Sequence, residues 1–440
     1  MKKAAKQLCI ILGAVLFIGL SIRAVLGLAW MVSQFMEVQE FAPVSSGIYP
    51  LLMQAAGSIP QVLYVLQLGA AFGAGWQILK VLGVSHRLWR MWGALVLLSL
   101  PMSMQCHMAL LPYSFVSSLV LLELSFCIQN LAENPFPSYT KLVQAGCCML
   151  GLKLLLPEYG WLGAIPLVLT VLFQLRVMWK QVKRLLYSCL LVAVFCGMAG
   201  GIGSLVSKED DSSRSFWLSM ASRTAWPTLW NDSYHWSQEL HDLVNDAACW
   251  KIAIRAGDME GILQPLLESK VGAAQAEKYY REMAAVSWER HSGQILKQII
   301  WDVLIYGTPE AVLQLQLEGR SYDSASGRNY EIMMMRRPAL TKFYVSYSCW
   351  WFWVSMGITA LLLIARLAAG DKVRLREYLA VGIMAMLWMA AILFYYVMQG
   401  AGIADYKYTL AVSQLLCGLA VVICHGGLWS EKEWHNDGKA

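Results

Sequence analysis

Residues 8–33 read LCIILGAVLFIGLSIRAVLGLAWMVS, an almost unbroken apolar run in which Arg23 is the one charged side chain. A bilayer core is crossed by roughly 20 mostly apolar helical residues, so the run predicts a membrane helix. Lys2, Lys3 and Lys6 precede it and give it the look of a secretory leader. The length of the run, the arginine within it and the lack of an Ala-x-Ala-type site before the next polar loop argue instead for a retained first span.

The rest of the chain repeats this pattern. Of 440 residues, 58% are hydrophobic and 15% charged, a balance that a water-soluble globule cannot hide. Apolar stretches near 8–33, 60–83, 91–108, 112–132, 141–157, 160–179, 185–207, 344–367, 378–399 and 404–426 predict about ten crossings. Lipid cannot satisfy open backbone groups, and the alternation of a barrel strand is absent, so the expected class is all-α: a polytopic membrane helix bundle. Three segments are expected: an N-terminal bundle over 1–207 with its first outer loop at 34–59, a mostly helical water-facing domain over 208–342, and C-terminal helices with a tail over 343–440.

Basic residues of short loops stay on the cytoplasmic side. With the N-terminus inside, the inner loops hold Lys80, Arg87 and Arg90; Lys141; Arg176, Lys180, Lys183 and Arg184; and Arg366, Lys372, Arg374 and Arg376. The opposite loops near 34–59, 100–112, 157–160 and 399–403 hold no Lys or Arg. Both termini are therefore expected on the cytoplasmic side of the plasma membrane and the 208–342 domain on the opposite side.

In that domain, Thr308-Pro309-Glu310 reads as a helix start and Gly319 as its end, while Leu296, Ile300, Val303 and Leu304 share a helical face. Its tryptophans are read as core or interfacial residues, and the run Trp350-Trp351-Phe352-Trp353 as part of an aromatic belt. Ten of the eleven cysteines lie in or beside expected spans and no CxxC occurs, so neither a disulfide framework nor a zinc site is indicated. The net charge of +6 follows from the inner loops and gives no reason to invoke nucleic acid.

Charged groups inside spans cost roughly 2.5–3.5 kcal/mol each at the centre of a span, and this marks Arg23, Glu123 and Lys153 as a candidate intramembrane polar set. For Glu123 the bland reading is a carboxyl packed between helices; for Arg23 and Lys153 it is snorkelling to the interface. In the first outer loop, Glu37 and Glu40 are the only acids. They read either as solvated charges or as a base or metal ligand at the membrane face. A divalent metal is compatible with them, although no ligand set is visible.

Four elements, in order, resemble the GT-C superfamily of membrane glycosyltransferases, in particular its protein-mannosyltransferase-like branch. They are the acidic first outer loop running into Gly47-Ile48-Tyr49-Pro50; Leu63-Tyr64-Val65-Leu66-Gln67-Leu68; Leu111-Pro112-Tyr113-Ser114 with Ser117-Ser118-Leu119; and Asp405-Tyr406-Lys407-Tyr408-Thr409-Leu410. The resemblance implies transfer of a sugar from a polyprenyl-phosphate carrier at the outer membrane face, with Glu37 or Glu40 as catalytic base and Lys407 and Tyr408 at the carrier phosphate. Polyprenyl-phosphate-linked sugar and membrane lipid are then the expected partners. The chain departs from the family pattern in having no Asp in the first outer loop, and Lys407 where the family has Arg. A non-catalytic relative that binds a lipid-linked glycan or a partner is the alternative. A transporter would need paired interrupted helices from an internal repeat, and no such repeat is seen. Walker, HExxH and GxSxG sequences are also absent.

Overall fold

A computed structural model of the chain describes residues 2–34, 47–57, 59–108, 112–133, 138–156, 160–178, 181–206, 233–245, 264–306, 338–369 and 410–428, together with Trp217, Leu218, Ala221 and Gly382. Among the described residues there is no strand. The helices are α1 (Lys2–Gln34), α2 (Tyr49–Ala56), α3 (Pro60–Val81), α4 (Arg87–Leu98), α5 (Pro101–His107), α6 (Tyr113–Glu133), α7 (Tyr139–Leu155), α8 (Gly160–Met178), α9 (Val182–Val206), α10 (Gln238–Asn245), α11 (Gln264–Val271), α12 (Ala273–Tyr306), α13 (Pro338–Ala369) and α14 (Leu410–Leu428). The all-α class stands.

Six of these helices, α1, α3, α6, α9, α13 and α14, are long and apolar enough to cross a membrane. They account for six of the ten expected spans. The stretch expected as one span over 91–108 is instead two helices, α4 and α5, parted at Ser99 and Leu100. The stretches near 141–157 and 160–179 form the shorter α7 and α8, whose apolar part is Gly163–Phe173. The stretch near 378–399 lies outside the described residues.

Contacts between helices fix the register of the bundle. Along α1 and α4 the pairs are Phe17 with Trp89, Ser21 with Trp92 and Arg23 with Val96, so the two helices run parallel. Against α14 the pairs are Gly13 with Cys424 and Arg23 with Cys417, which is antiparallel. Against α13 they are Gly19 with Tyr347 and Trp30 with Thr341, again antiparallel. The C-terminal end of α1 thus shares one end of the bundle, called the upper end below, with the starts of α13 and α14.

The same end receives α2. Ile48 donates its N–H to the Leu154 carbonyl at the close of α7 (2.8 Å), and Gln67 of α3 donates to the Tyr49 hydroxyl (3.1 Å). Gly47 sits at φ +75°, and a Cβ there would lie 2.3 Å from the Leu155 carbonyl oxygen, so both backbone angle and space call for glycine. Helices α6 and α7 form an antiparallel hairpin, with Gly151 beside Leu119 and Lys141 over the Phe126 ring at 5.5 Å. Outward faces such as Ile10, Ile18 and Val25 on α1, and Leu186, Leu190 and Val194 on α9, are exposed and apolar. That is the pattern of helices solvated by lipid.

The described part of the 208–342 segment has a core of its own, formed by Leu218, Trp236, Leu240, Leu267, Tyr279, Tyr280 and Met283. The Glu282 carboxylate accepts from the Ser237 N–H and, at 3.0 Å, from its hydroxyl, tying α12 to the start of α10. Such a contact caps free N–H groups and favours the helix dipole. Leu296 lies on α12, as its spacing predicts, but is 52% exposed, so it does not bury the expected face; Ile295 beside it is buried. The helix expected from Thr308 to Gly319 lies outside the described residues. Trp236 is a core residue, while Trp350 and Trp353 face outward and Trp351 packs inward against Gly19.

Candidate functional site

The break between α4 and α5 organises the upper end. Proline cannot donate a backbone hydrogen bond, and it pushes the residue before it out of the helical region. Leu100 accordingly adopts ψ 129°, and Pro101 opens α5. An interruption at this depth needs protein partners for its carbonyls, since lipid offers none. The Tyr344 hydroxyl donates to the Ser99 carbonyl at 2.7 Å, and Arg23 Nη2 donates to the Val96 carbonyl at 3.0 Å. A Cβ on Gly27 would lie 3.0 Å from both Ser99 Cβ and the Tyr344 hydroxyl, so a glycine there lets α1 approach the break.

Every residue of α5 is buried, and its polar side chains form a seam with α6 and α14. Gln414 Nε2 donates to the Ser103 hydroxyl (3.1 Å), and His107 Nδ1 lies 2.7 Å from Ser114 Oγ. Ser117 and Ser118 donate to the Ser114 carbonyl. Trp30 Nε1 closes the outer edge by donating to Thr341 Oγ1 at 3.1 Å. Several buried polar atoms have no hydrogen-bond partner among the described residues: His107 Nε2, Gln105 Nε2, Gln414 Oε1, the Ser413 hydroxyl and Gln34 Oε1. Unfilled donors and acceptors in an apolar bundle cost roughly 1–3 kcal/mol each, and their gathering at one end marks the seam as a place for a hydroxylated or otherwise polar ligand.

The sequence-derived candidates fall in different places. Arg23 is fully buried rather than snorkelling, which corrects that expectation. Its Nη2 reaches both Val96 O and Cys417 Sγ, the latter at 2.8 Å, whereas Nε and Nη1 have no partner among the described residues. A guanidinium held between α1, α4 and α14 cannot reach the interface, because the packed helices enclose it. Glu123 is also fully buried, with neither carboxyl oxygen hydrogen-bonded, and lies within electrostatic reach of Cys127 and Cys148. It sits nine residues along α6 from Ser114, about 14 Å of helix rise. Arg23 and Glu123 therefore do not form one site: the partners of the first are on α4 and α14, and the neighbours of the second are on α6 and α7. Lys153 is half-buried in the last turn of α7, where a cation complements the helix dipole.

Glu37, Glu40, Lys407 and Tyr408 lie outside the described residues. Among the described residues no group of three or more metal-ligating side chains occurs. His107, Ser103 and Gln414 were not singled out from sequence, although Ser114, the partner of His107, lies in one of the quoted elements. The signal was present in a histidine inside the stretch read as an apolar span, followed at once by Pro112-Tyr113-Ser114. No protein-family model, curated protein or solved structure matches the chain.

Proposed function

We propose that the chain is a GT-C-like membrane glycosyltransferase that moves a sugar from a polyprenyl-phosphate carrier to an acceptor hydroxyl at the extracytoplasmic face. The observation that carries this reading is the antiparallel register of α1 and α14. It brings Trp30 and Leu410 into one buried cluster at the upper end, so the two chain segments bearing the candidate chemistry leave from adjacent helix ends. Glu37 follows Gln34 by three residues and Lys407 precedes Leu410 by three. At roughly 3.5 Å per extended residue, each stays within about 10 Å of its helix end. A carboxylate and an ammonium on either side of an anomeric carbon supply what an inverting transfer needs: a base for the acceptor hydroxyl and charge compensation for the departing phosphate. The seam of His107, Ser114, Ser103 and Gln414 lies beneath, with the buried donors and acceptors that sugar hydroxyls would use.

The upper end is then the outer one, α2 is a juxtamembrane helix, and the 208–342 segment is extracytoplasmic. The Lys/Arg distribution supports this side assignment, as does the lack of any Lys or Arg in the outer loops of the bundle. A non-catalytic glycan-binding relative is the second reading, favoured by the absence of Asp from the first outer loop.

A photoactivatable polyprenyl phosphate, added to the protein in lipid nanodiscs and mapped by peptide mass spectrometry, tests the carrier site. Crosslinks should concentrate on the end of α1, on α5 and on the start of α14, and be displaced by unlabelled carrier. Crosslinks confined to outward faces of α9 and α1, undisplaced by carrier, would show only solvation by lipid.

A further inference from the structure

The lower end of the bundle carries a second polar constellation, of opposite character. Helices α1, α3, α4, α13 and α14 contain no Asp or Glu at all, and so does the α3–α4 turn. At this end they and that turn present Lys2, Lys3, Lys6, Lys80, His86, Arg87, Arg90, Arg366 and His425. Most such charges would be ordinary residues of inner loops and exposed helix ends, but two are buried. Arg366, in the last turn of α13, is only 7% exposed, and His425, in the last turn of α14, only 5%.

His425 reaches the first turn of α4, and Arg366 stands beside His425. The His425 ring stands edge-on to Trp89 at 5.1 Å, and His86 and Arg366 both lie within electrostatic reach of His425. The Arg366 guanidinium lies flat on the backbone of Gly426, where a Cβ would come within 2.2 Å of Nη1, so glycine is what lets the charge enter between the helices. The 12-residue α4 begins at His86 with no side-chain cap and no acid in its first turn. No acid of its own therefore offsets the positive end of its dipole, and the first turn carries Arg87 instead, which is the reverse of the usual arrangement. Arg90 is engaged elsewhere, donating to the Ser85 carbonyl at 3.0 Å and covering the Trp76 ring.

We propose that the first turn of α4, together with Arg87, Arg366 and His425, binds the phosphate of an anionic phospholipid headgroup. Helix N-termini and guanidinium groups are the two protein devices best suited to a phosphate. A basic recess between membrane helices at the level of the headgroups is where a phospholipid can deliver one. The acyl chains would lie against the apolar outward faces of α13, among them Leu361, Ile364 and Leu367, which are exposed.

The test uses the full chain in nanodiscs of phosphatidylcholine with and without phosphatidylglycerol, reading the melting temperature and, by native mass spectrometry, retained lipid. Phosphatidylglycerol should raise the melting temperature and remain bound. Arg366→Gln and, separately, the exposed Arg87→Gln should each weaken its binding about fivefold, the worth of one basic residue near an anionic surface. Arg87→Gln keeps the test decisive if the buried variant does not fold. Three results would overturn the proposal: unchanged phosphatidylglycerol binding in Arg87→Gln and in any folded Arg366→Gln; equal stabilisation by inorganic phosphate in detergent, which would make the ligand a soluble anion; or a melting temperature indifferent to lipid charge but lowered by Glu431→Gln/Glu433→Gln, which would make the chain's own tail the counter-ion.

Discussion

Gly19→Ala is the smallest change that tests how α1 and α13 are joined. A Cβ at position 19 would stand 1.8, 2.0 and 2.5 Å from Cζ2, Cε2 and Cη2 of Trp351, all far inside van der Waals contact. The indole has little freedom to withdraw. It stacks on the Tyr347 ring at 6.1 Å and 7°, and the Tyr347 hydroxyl is itself tied to the Gly19 carbonyl at 3.1 Å. Either the ring leaves its stack or the helices part. Overpacking of this kind costs about 1–3 kcal/mol, while exchanging glycine for alanine inside a helix returns about 0.5–1 kcal/mol. The expected net loss is about 0–2.5 kcal/mol by the difference of those two ranges. Unfolding in mixed micelles measures it, and the double variant Gly19→Ala/Trp351→Leu should lose less than the sum of the singles because the clash is gone. A Gly19→Ala protein as stable as the parent, with no coupling to position 351, would refute this packing.

Two further outcomes follow from particular contacts. Trp30→Phe removes the hydrogen bond to Thr341, both residues being fully buried, and should cost about 1 kcal/mol; a matched Thr341→Val background should absorb most of that loss in a double-mutant cycle. In the helical domain, burial holds the Tyr280 hydroxyl above the usual phenol range, so the protonated form is favoured in the folded state. Its stabilising contribution is complete below the ordinary tyrosine value of about 10 and is lost as pH rises through the folded value. Subtilisin cleavage within 233–306 should therefore accelerate between about pH 9 and about pH 11, and Tyr280→Phe should blunt the acceleration.

What could be read from the sequence depended on how local the physics is. The apolarity of 8–33 decides a span by itself, because the bilayer rewards it residue by residue, and α1 follows. The fate of Arg23 could not be read the same way, since its partners Val96 and Cys417 are 73 and 394 residues away and only the register of three helices brings them to it. The break at Leu100-Pro101 was legible in principle from the proline rule, yet the hydropathy of 91–108 favoured one continuous span. With 91–108 read as one span, His107 falls at its outer end, and hydropathy alone does not reveal the buried pairing with Ser114. The packed-carboxyl reading of Glu123 agrees with its burial, whereas Arg23 and Glu123 do not share one polar site, because they lie on separate helix interfaces.

The central claim is catalytic transfer at the upper end, and the most direct measurement is sugar transfer from a panel of polyprenyl-phosphate hexoses by the nanodisc-reconstituted chain. The account predicts transfer by the parent, and in either Glu37→Gln or Glu40→Gln a fall of roughly 10²–10⁴ in rate, with carrier crosslinking and melting temperature kept. Full rates in both variants, or a parent chain that binds the carrier and never transfers its sugar, would contradict it.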